Sequence, residues 1–264
     1  MSASWDQTAG QIPLAFLVDG DNASAKTIGE MLAEVSNYGT VIIRKVYGDW
    51  TSTHLSQWKQ VFQKHSLHPE QQFANTSGKN ATDSAMIIDA MDMLHQGIVK
   101  GFVLVSSDSD FSALARRIRE AGLLVIGIGR ADTPESFRSA CHRFVSTENL
   151  VAPIAPSTAS EEAPESAIGP TRQPPTIQVP PPRAPTSEAL TILDRAFETA
   201  DRGDGVVHLA YLGETLYRLD SAFDARTYGK AKLVDLILLF PHAYTIERPL
   251  ERGPGAVYVR RRKA

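Results

Sequence analysis

Short apolar runs alternate with amphipathic ones through the N-terminal half of the chain. Leu14 to Val18, Thr40 to Tyr47, Gly101 to Val105 and Leu123 to Ile128 have strand length, with a weaker candidate at Gln71-Gln72-Phe73. Between them, Ser24 to Val35, Thr53 to Lys64, Asp83 to His95 and Phe111 to Ala121 carry apolar residues at helical spacing. A continuous apolar strand has no polar face to offer water, so both of its faces must be covered. Helices in the crossover connections of a parallel sheet supply that cover. The expectation is an α/β fold in three layers around a central parallel sheet. Ligands of such sheets bind beyond the carboxyl ends of the strands, where the strand order reverses.

Carboxylates collect at that edge. Asp19 and Asp21 follow the first strand in Leu17-Val18-Asp19-Gly20-Asp21-Asn22, and Asp108 and Asp110 follow the fourth in Ser106-Ser107-Asp108-Ser109-Asp110-Phe111. Asp83 opens the helix before that fourth strand. Turn and capping chemistry accounts for part of this, since Asp-Gly-Asp-Asn is good turn composition and one Asp or Ser caps a helix. Turn chemistry explains Asp21 and Asn22 well, but one cap needs one side chain, so a second Asp in the Asp108 and Asp110 pair is surplus to that role. Gathered carboxylates repel one another unless a positive charge sits among them, and a hard divalent cation prefers oxygen ligands. Asp89 and Asp92, six and nine residues beyond Asp83, read as exposed or helix-packing polar groups. Lys79, Arg44 and Lys45 are candidates for phosphate contact, although each such residue is more often a simple surface charge.

Residues from about Val151 to Thr186 hold most of the prolines, and Pro174-Pro175 through Pro180-Pro181-Pro182 forbids helix or central strand. The expected organisation is therefore a domain over 12–150, a disordered Pro-rich linker over 151–186 and a second domain over 187–264. In that second domain Glu188 to Ala200, Val207 to Leu219 and Lys230 to Phe240 have helical period. Ala243 to Glu247 and Ala256 to Arg260 alternate like a two-stranded ribbon around Gly253-Pro254-Gly255. Three helices and a ribbon predict a small winged helix-turn-helix.

Composition narrows the chemistry. A net charge of −3 argues against a protein that coats nucleic acid by bulk attraction, but leaves room for a local basic surface such as Arg260-Arg261-Arg262-Lys263. No apolar run reaches bilayer length, and the polar first residues lack a signal-peptide pattern. The single cysteine, Cys141, allows no internal disulfide and fits a reducing cytoplasm. No nucleophile triad, zinc-ligand spacing or phosphate-binding glycine loop is present, so metal-assisted hydrolysis is the chemistry left standing.

Three segments together resemble the NYN branch of the PIN-like nucleases, which includes LabA-like bacterial proteins. They are Phe16 to Asn22, Gly78-Lys79-Asn80-Ala81-Thr82-Asp83, and Leu104 to Phe111, with Leu123 to Gly129 fitting the last core strand. The resemblance implies a ribonuclease that uses Mg²⁺ or Mn²⁺ held by Asp19, Asp83, Asp108 and Asp110, with Asp21 beside them. Asn22, Lys79, Asn80 and Ser107 would then face the substrate. The C-terminal part resembles an OST-HTH/LOTUS domain, on Phe223-Asp224-Ala225-Arg226-Thr227-Tyr228-Gly229, Lys232 to Leu236, Tyr244 to Arg248 and Val257 to Arg260. That resemblance implies an RNA-binding module for structured or G-rich RNA, with Tyr228, Lys230, Lys232 and Arg260 as contacts. Related domains also bind protein partners, and self-association stays open.

Two rivals are weighed against the nuclease. Asp19 and Asp21 also match the Asp-x-Asp of haloacid-dehalogenase-type phosphatases, but Ala23 stands where those carry Thr. The other is a non-catalytic RNA-binding adaptor built on a nuclease fold.

Overall fold

The computed structural model describes residues 12–51, 55–73, 81–151, 187–248 and 256–262. The Pro-rich linker, Lys79, Asn80, Lys263 and the Gly253-Pro254-Gly255 turn lie outside the described residues. The described residues group into two compact units: one holds the elements up to Val151 together with Gly213–Phe223, the other holds the rest. No helix among them is long and apolar enough to cross a membrane.

The first unit is a six-stranded, wholly parallel sheet of order β3-β2-β1-β4-β5-β6. Its strands are β1 (Pro13–Asp19), β2 (Thr40–Gly48), β3 (His68–Gln71), β4 (Gly101–Val105), β5 (Leu124–Gly129) and β6 (Arg143–Ser146). The helices are α1 (Ile28–Val35), α2 (Trp58–His65), α3 (Ala81–Gln96), α4 (Ser112–Glu120), α5 (Glu135–Arg138) and α6 (Thr147–Val151). Chain direction explains the order. From β1 the chain builds outward through β2 to β3, then crosses back to lay β4 on the other side of β1. The reversal point is the crevice between the carboxyl ends of β1 and β4.

Side chains alternate along β1, and the two sets enter different layers. Leu14, Phe16 and Val18 pack with Ile28, Met31 and Val35 of α1 and Trp58 of α2. Ala15 and Leu17 pack on the opposite face with Met86, Ala90 and Met93 of α3 and Leu114 and Ile118 of α4. The same alternation assigns Asp19 to the α3 and α4 side. Every β1 residue from Leu14 to Val18 is buried, which is why this strand was legible as one apolar run. β6 was not anticipated, because Arg143-Phe144-Val145-Ser146 is short and polar at both ends.

The second unit carries α7 (Ser187–Ala200), β7 (Val206–His208), the start of α8 (Leu209–Leu219), α9 (Leu233–Ile237), β8 (Tyr244–Glu247) and β9 (Tyr258–Arg261). Two expectations are corrected here. The helix expected over Val207 to Leu219 begins only at Leu209, because Val206–His208 pairs antiparallel with β9. The ribbon is therefore a three-stranded sheet of order β7-β9-β8. The helix expected over Lys230 to Phe240 shrinks to Leu233–Ile237, since Lys232 is still extended. On α7, Ala189, Leu193, Ala196, Phe197 and Ala200 form the buried stripe, and Phe197 meets Tyr244 with ring centroids 5.5 Å apart.

The sheet edge is packed to the backbone. A Cβ on Gly129 would lie 2.4 Å from the Ser106 carbonyl oxygen and 2.8 Å from the Thr133 hydroxyl. Gly129→Ala should therefore lower unfolding free energy by about 1–3 kcal/mol, the usual cost of overpacking. Urea denaturation checks this; an unchanged midpoint would mean the edge yields freely.

Candidate metal centre

Asp19 ends β1 and is 1% exposed, an unusual position for a carboxylate without partners. Its partners come from two turns. Oδ1 accepts from the backbone N–H groups of Asp21 at 3.2 Å and Asn22 at 3.3 Å. Oδ2 accepts from Asn22 Nδ2 at 2.6 Å and from Ser106 Oγ at 2.9 Å. The turn is tight because Gly20 donates to the Tyr47 carbonyl at 2.8 Å, and a Cβ there would sit 2.7 Å from that oxygen. Only glycine leaves room for it.

The Ser106 hydroxyl joins β1 to the turn after β4. It donates to Asp19 and accepts from the Asp108 N–H at 3.1 Å. Asp108 in turn caps the single helical turn Ser109–Phe111, accepting from the Asp110 N–H at 2.9 Å. The capping reading thus holds for Asp108, and it uses one oxygen. Ser107, expected at the substrate, accepts from the Arg130 N–H at 2.9 Å, tying this turn to the end of β5.

Asp83, Asp108 and Asp110 converge. One carboxylate oxygen from each lies within 4.8 Å of the others. Asp83 is delivered by the first turn of α3, and the other two by the β4 turn. Asp19 and Asp21 stand outside this trio but close enough for their charges to act on Asp83. Burial pushes the Asp83 carboxyl up from 3.8 to about 6, reinforced by the charges of Asp19, Asp108, Asp110 and Asp21. Asp19 is also raised by burial; hydrogen bonds from Asn22 and Ser106 act against the rise, and the Asp21 charge adds to it. The donor set is all oxygen and partly exposed, and the charges that raise Asp83 are those of other carboxylates. That suits a hard divalent cation and offers nothing to a thiophilic one.

Asn22 faces Asp19 with its amide, so it holds the carboxylate in place. Lys45 is engaged by two carboxylates, Asp89 at 2.6 Å and Glu70 at 2.8 Å. Arg44 donates to the His65 carbonyl at 2.9 Å. In the second unit, Tyr228 closes the turn Ala225–Tyr228 and Lys232 precedes α9, exposed, while Lys230 is half-buried. The basic C-terminal run is engaged within its own unit: Arg260 with Glu247 at 2.5 Å, Arg261 with Glu198 at 2.9 Å, and Arg262 with the Thr245 hydroxyl at 2.9 Å. Such exposed pairs are weak in water, so a phosphate can compete for them. Ser106 is the site residue that sequence reading missed. Its only sequence signal is a hydroxyl directly after an apolar strand, which turn chemistry explains equally well.

The raised Asp83 value has a stability consequence. Between 3.8 and about 6 the folded protein keeps a proton that the unfolded chain releases. Without metal, stability therefore falls as pH rises through that window and is regained on acidification. Asp83→Asn cannot ionise, so in EDTA its Tm at neutral pH should exceed that of the wild type and vary less across the window. Thermal melts at stepped pH check both; identical profiles would contradict the electrostatic reading.

The NYN domain model matches residues 13–150. No curated protein matches the chain. Among solved structures, a protein of unknown function from Vibrio parahaemolyticus is 18% identical, covers 53% of this chain and 95% of its own, and gives a TM-score of 0.44. An uncharacterised protein from Nitrosomonas europaea, solved by solution NMR, is 24% identical, covers 39% of this chain and 94% of its own, and gives a TM-score of 0.27.

Proposed function

The chain belongs to the NYN domain family, which includes ribonucleases, and on that premise we propose that it is a divalent-metal-dependent ribonuclease. The observation that carries the reading is the convergence of Asp83, Asp108 and Asp110 within 4.8 Å beside buried Asp19, at the reversal point of the sheet. Those four carboxylates would hold Mg²⁺ or Mn²⁺, with Asp21 adding charge at the rim. A cation bound there would supply the charge for activating a water and for stabilising the leaving oxygen of a phosphodiester.

The chain's own groups do the rest. Asn22 and Ser106 fix the Asp19 carboxylate from both sides. Asp108, by accepting from the Asp110 N–H, sets the turn that presents both. The acidic pocket repels an RNA phosphate until a cation compensates it, so binding at the site and metal loading are coupled. Lys79 and Asn80 are proposed as substrate contacts on the resemblance alone.

The second unit is proposed as an RNA-binding module of OST-HTH/LOTUS type. Its helices and three-stranded antiparallel sheet are compatible with a winged helix. Tyr228, Lys230, Lys232 and Arg260 would contact RNA, structured or G-rich species included. Tethered to the nuclease unit, such a module would raise the local concentration of RNA.

Purified full-length protein with Mn²⁺ or Mg²⁺ should cleave RNA, and EDTA should stop it. Asp19→Asn or Asp83→Asn should lower kcat about 10²–10³-fold with the fold intact by circular dichroism, several kcal/mol of lost charge stabilisation. RNA binding without metal-dependent cleavage would instead make the protein an adaptor, and metal-dependent release of phosphate from monoesters alone would make it a phosphatase.

Replacing Lys230 and Lys232 together by Ala should weaken binding of a structured RNA and flatten its salt dependence, because each phosphate contact contributes about one unit of slope. Fluorescence anisotropy at stepped salt reads this, and an unchanged slope would take those lysines out of the interface.

A further inference from the structure

Asp83 reaches the metal centre on α3, whose buried side chains are Met86, Ala90 and Met93, with Ala85, Ile87, Met91 and Leu94 partly buried against the same core. Methionine is flexible and fills gaps of many shapes. Alanine offers little relief to lock against, and apolar burial has no direction. Such a stripe holds α3 on the sheet but specifies its axial and rotational setting poorly. A slip by one residue moves a helix by about 1.5 Å and 100°, enough to take Asp83 out of a site whose oxygens lie within 4.8 Å of one another.

Among the described residues, a directional contact opposes that slip. Lys45 and Tyr47 are two residues apart on β2, so they project from the same face. Both end on a single oxygen of α3: Lys45 Nζ is 2.6 Å and Tyr47 Oη 2.5 Å from Asp89 Oδ2. The Tyr47 side chain is 1% exposed and packs in the cluster that holds Met86 and Ala90, so its hydroxyl arrives from a rigid base. Lys45 is braced from the other side by Glu70 of β3 at 2.8 Å. Asp89 lies six residues beyond Asp83, roughly 9 Å along the axis, too far to touch the same ion.

We infer that Lys45, Tyr47 and Asp89 are positioning residues of the metal centre, pinning the register of α3 and thereby the place of the Asp83 carboxylate. The inference rests on the reading of Asp83 as a metal-site carboxylate. It differs from a purely structural ion pair in one respect: its loss costs metal affinity and turnover, and not only stability.

The test uses full-length wild type, Asp89→Ala, Asp89→Asn and Tyr47→Phe. Each is titrated with MnCl₂ alone by calorimetry, well below its own Tm, then assayed for kcat and KM on a cleaved RNA. Asp89→Ala should bind Mn²⁺ about 10-fold or more weaker, the usual effect of losing a residue that orients a ligand. Its kcat should fall while KM changes little. Asp89→Asn keeps an oxygen that accepts from both donors and should recover most of the affinity. Tyr47→Phe, which removes one hydroxyl from the fork, should fall between, and it carries the test if Asp89→Ala does not fold. Variants with lowered Tm but wild-type Mn²⁺ affinity and kcat would overturn the inference while leaving the metal centre standing. A wild type that binds no Mn²⁺ and cleaves no RNA would remove the metal centre and this inference with it.

Discussion

A carboxylate that is 1% exposed at the end of a strand has to be satisfied by its surroundings or be protonated, and the rest of the site follows from how Asp19 is satisfied. Four hydrogen bonds reach it, from Asp21, from the backbone and side chain of Asn22, and from Ser106. They require Gly20 to pass within contact of the β2 backbone and require β4 to end level with β1. The parallel register provides the second condition, pairing Val18 with Val105. The burial of one side chain thus couples two strand ends and two turns.

The remaining carboxylates arrive with different degrees of restraint. Asp108 and Asp110 share a turn whose backbone is fixed by Ser106, by Arg130 and by their own capping bond. Asp83 arrives on a helix whose apolar contacts are adaptable, and its rise to about 6 records how poorly its charge is tolerated there. The site is therefore a set of like charges held together by hydrogen bonds and packing against their own repulsion. That arrangement costs stability, and a cation bound among the carboxylates would relieve it.

The sheet and the acidic edge were legible in the sequence for a common reason. Parallel strands buried on both faces leave unbroken apolar runs, and a charged residue closing such a run stands out, as Asp19 does after Val18. What was not legible depends on pairings far apart in the chain or on elements too short to have a period. Ser106 looks like any turn serine until Asp19, 87 residues away, is brought beside it. Lys45 looks like a surface charge until α3 lays Asp89 across it. Val206–His208 merges into the apolar start of α8, and only its pairing with β9 separates strand from helix. Arg260 reads as a free basic tail until β8 and β9 align and set Glu247 within reach.

A metal centre at this sheet edge must take up a divalent cation. The most direct measurement is the Tm of the full-length protein titrated with MnCl₂ at neutral pH, beside the Asp108→Asn,Asp110→Asn double variant. Binding to the folded state alone should raise wild-type stability with the logarithm of free metal, by about 2.7 kcal/mol at 100 times Kd, and leave the double variant unmoved. A wild-type Tm that does not respond to Mn²⁺, or responds no more than that of the double variant, would contradict the central claim.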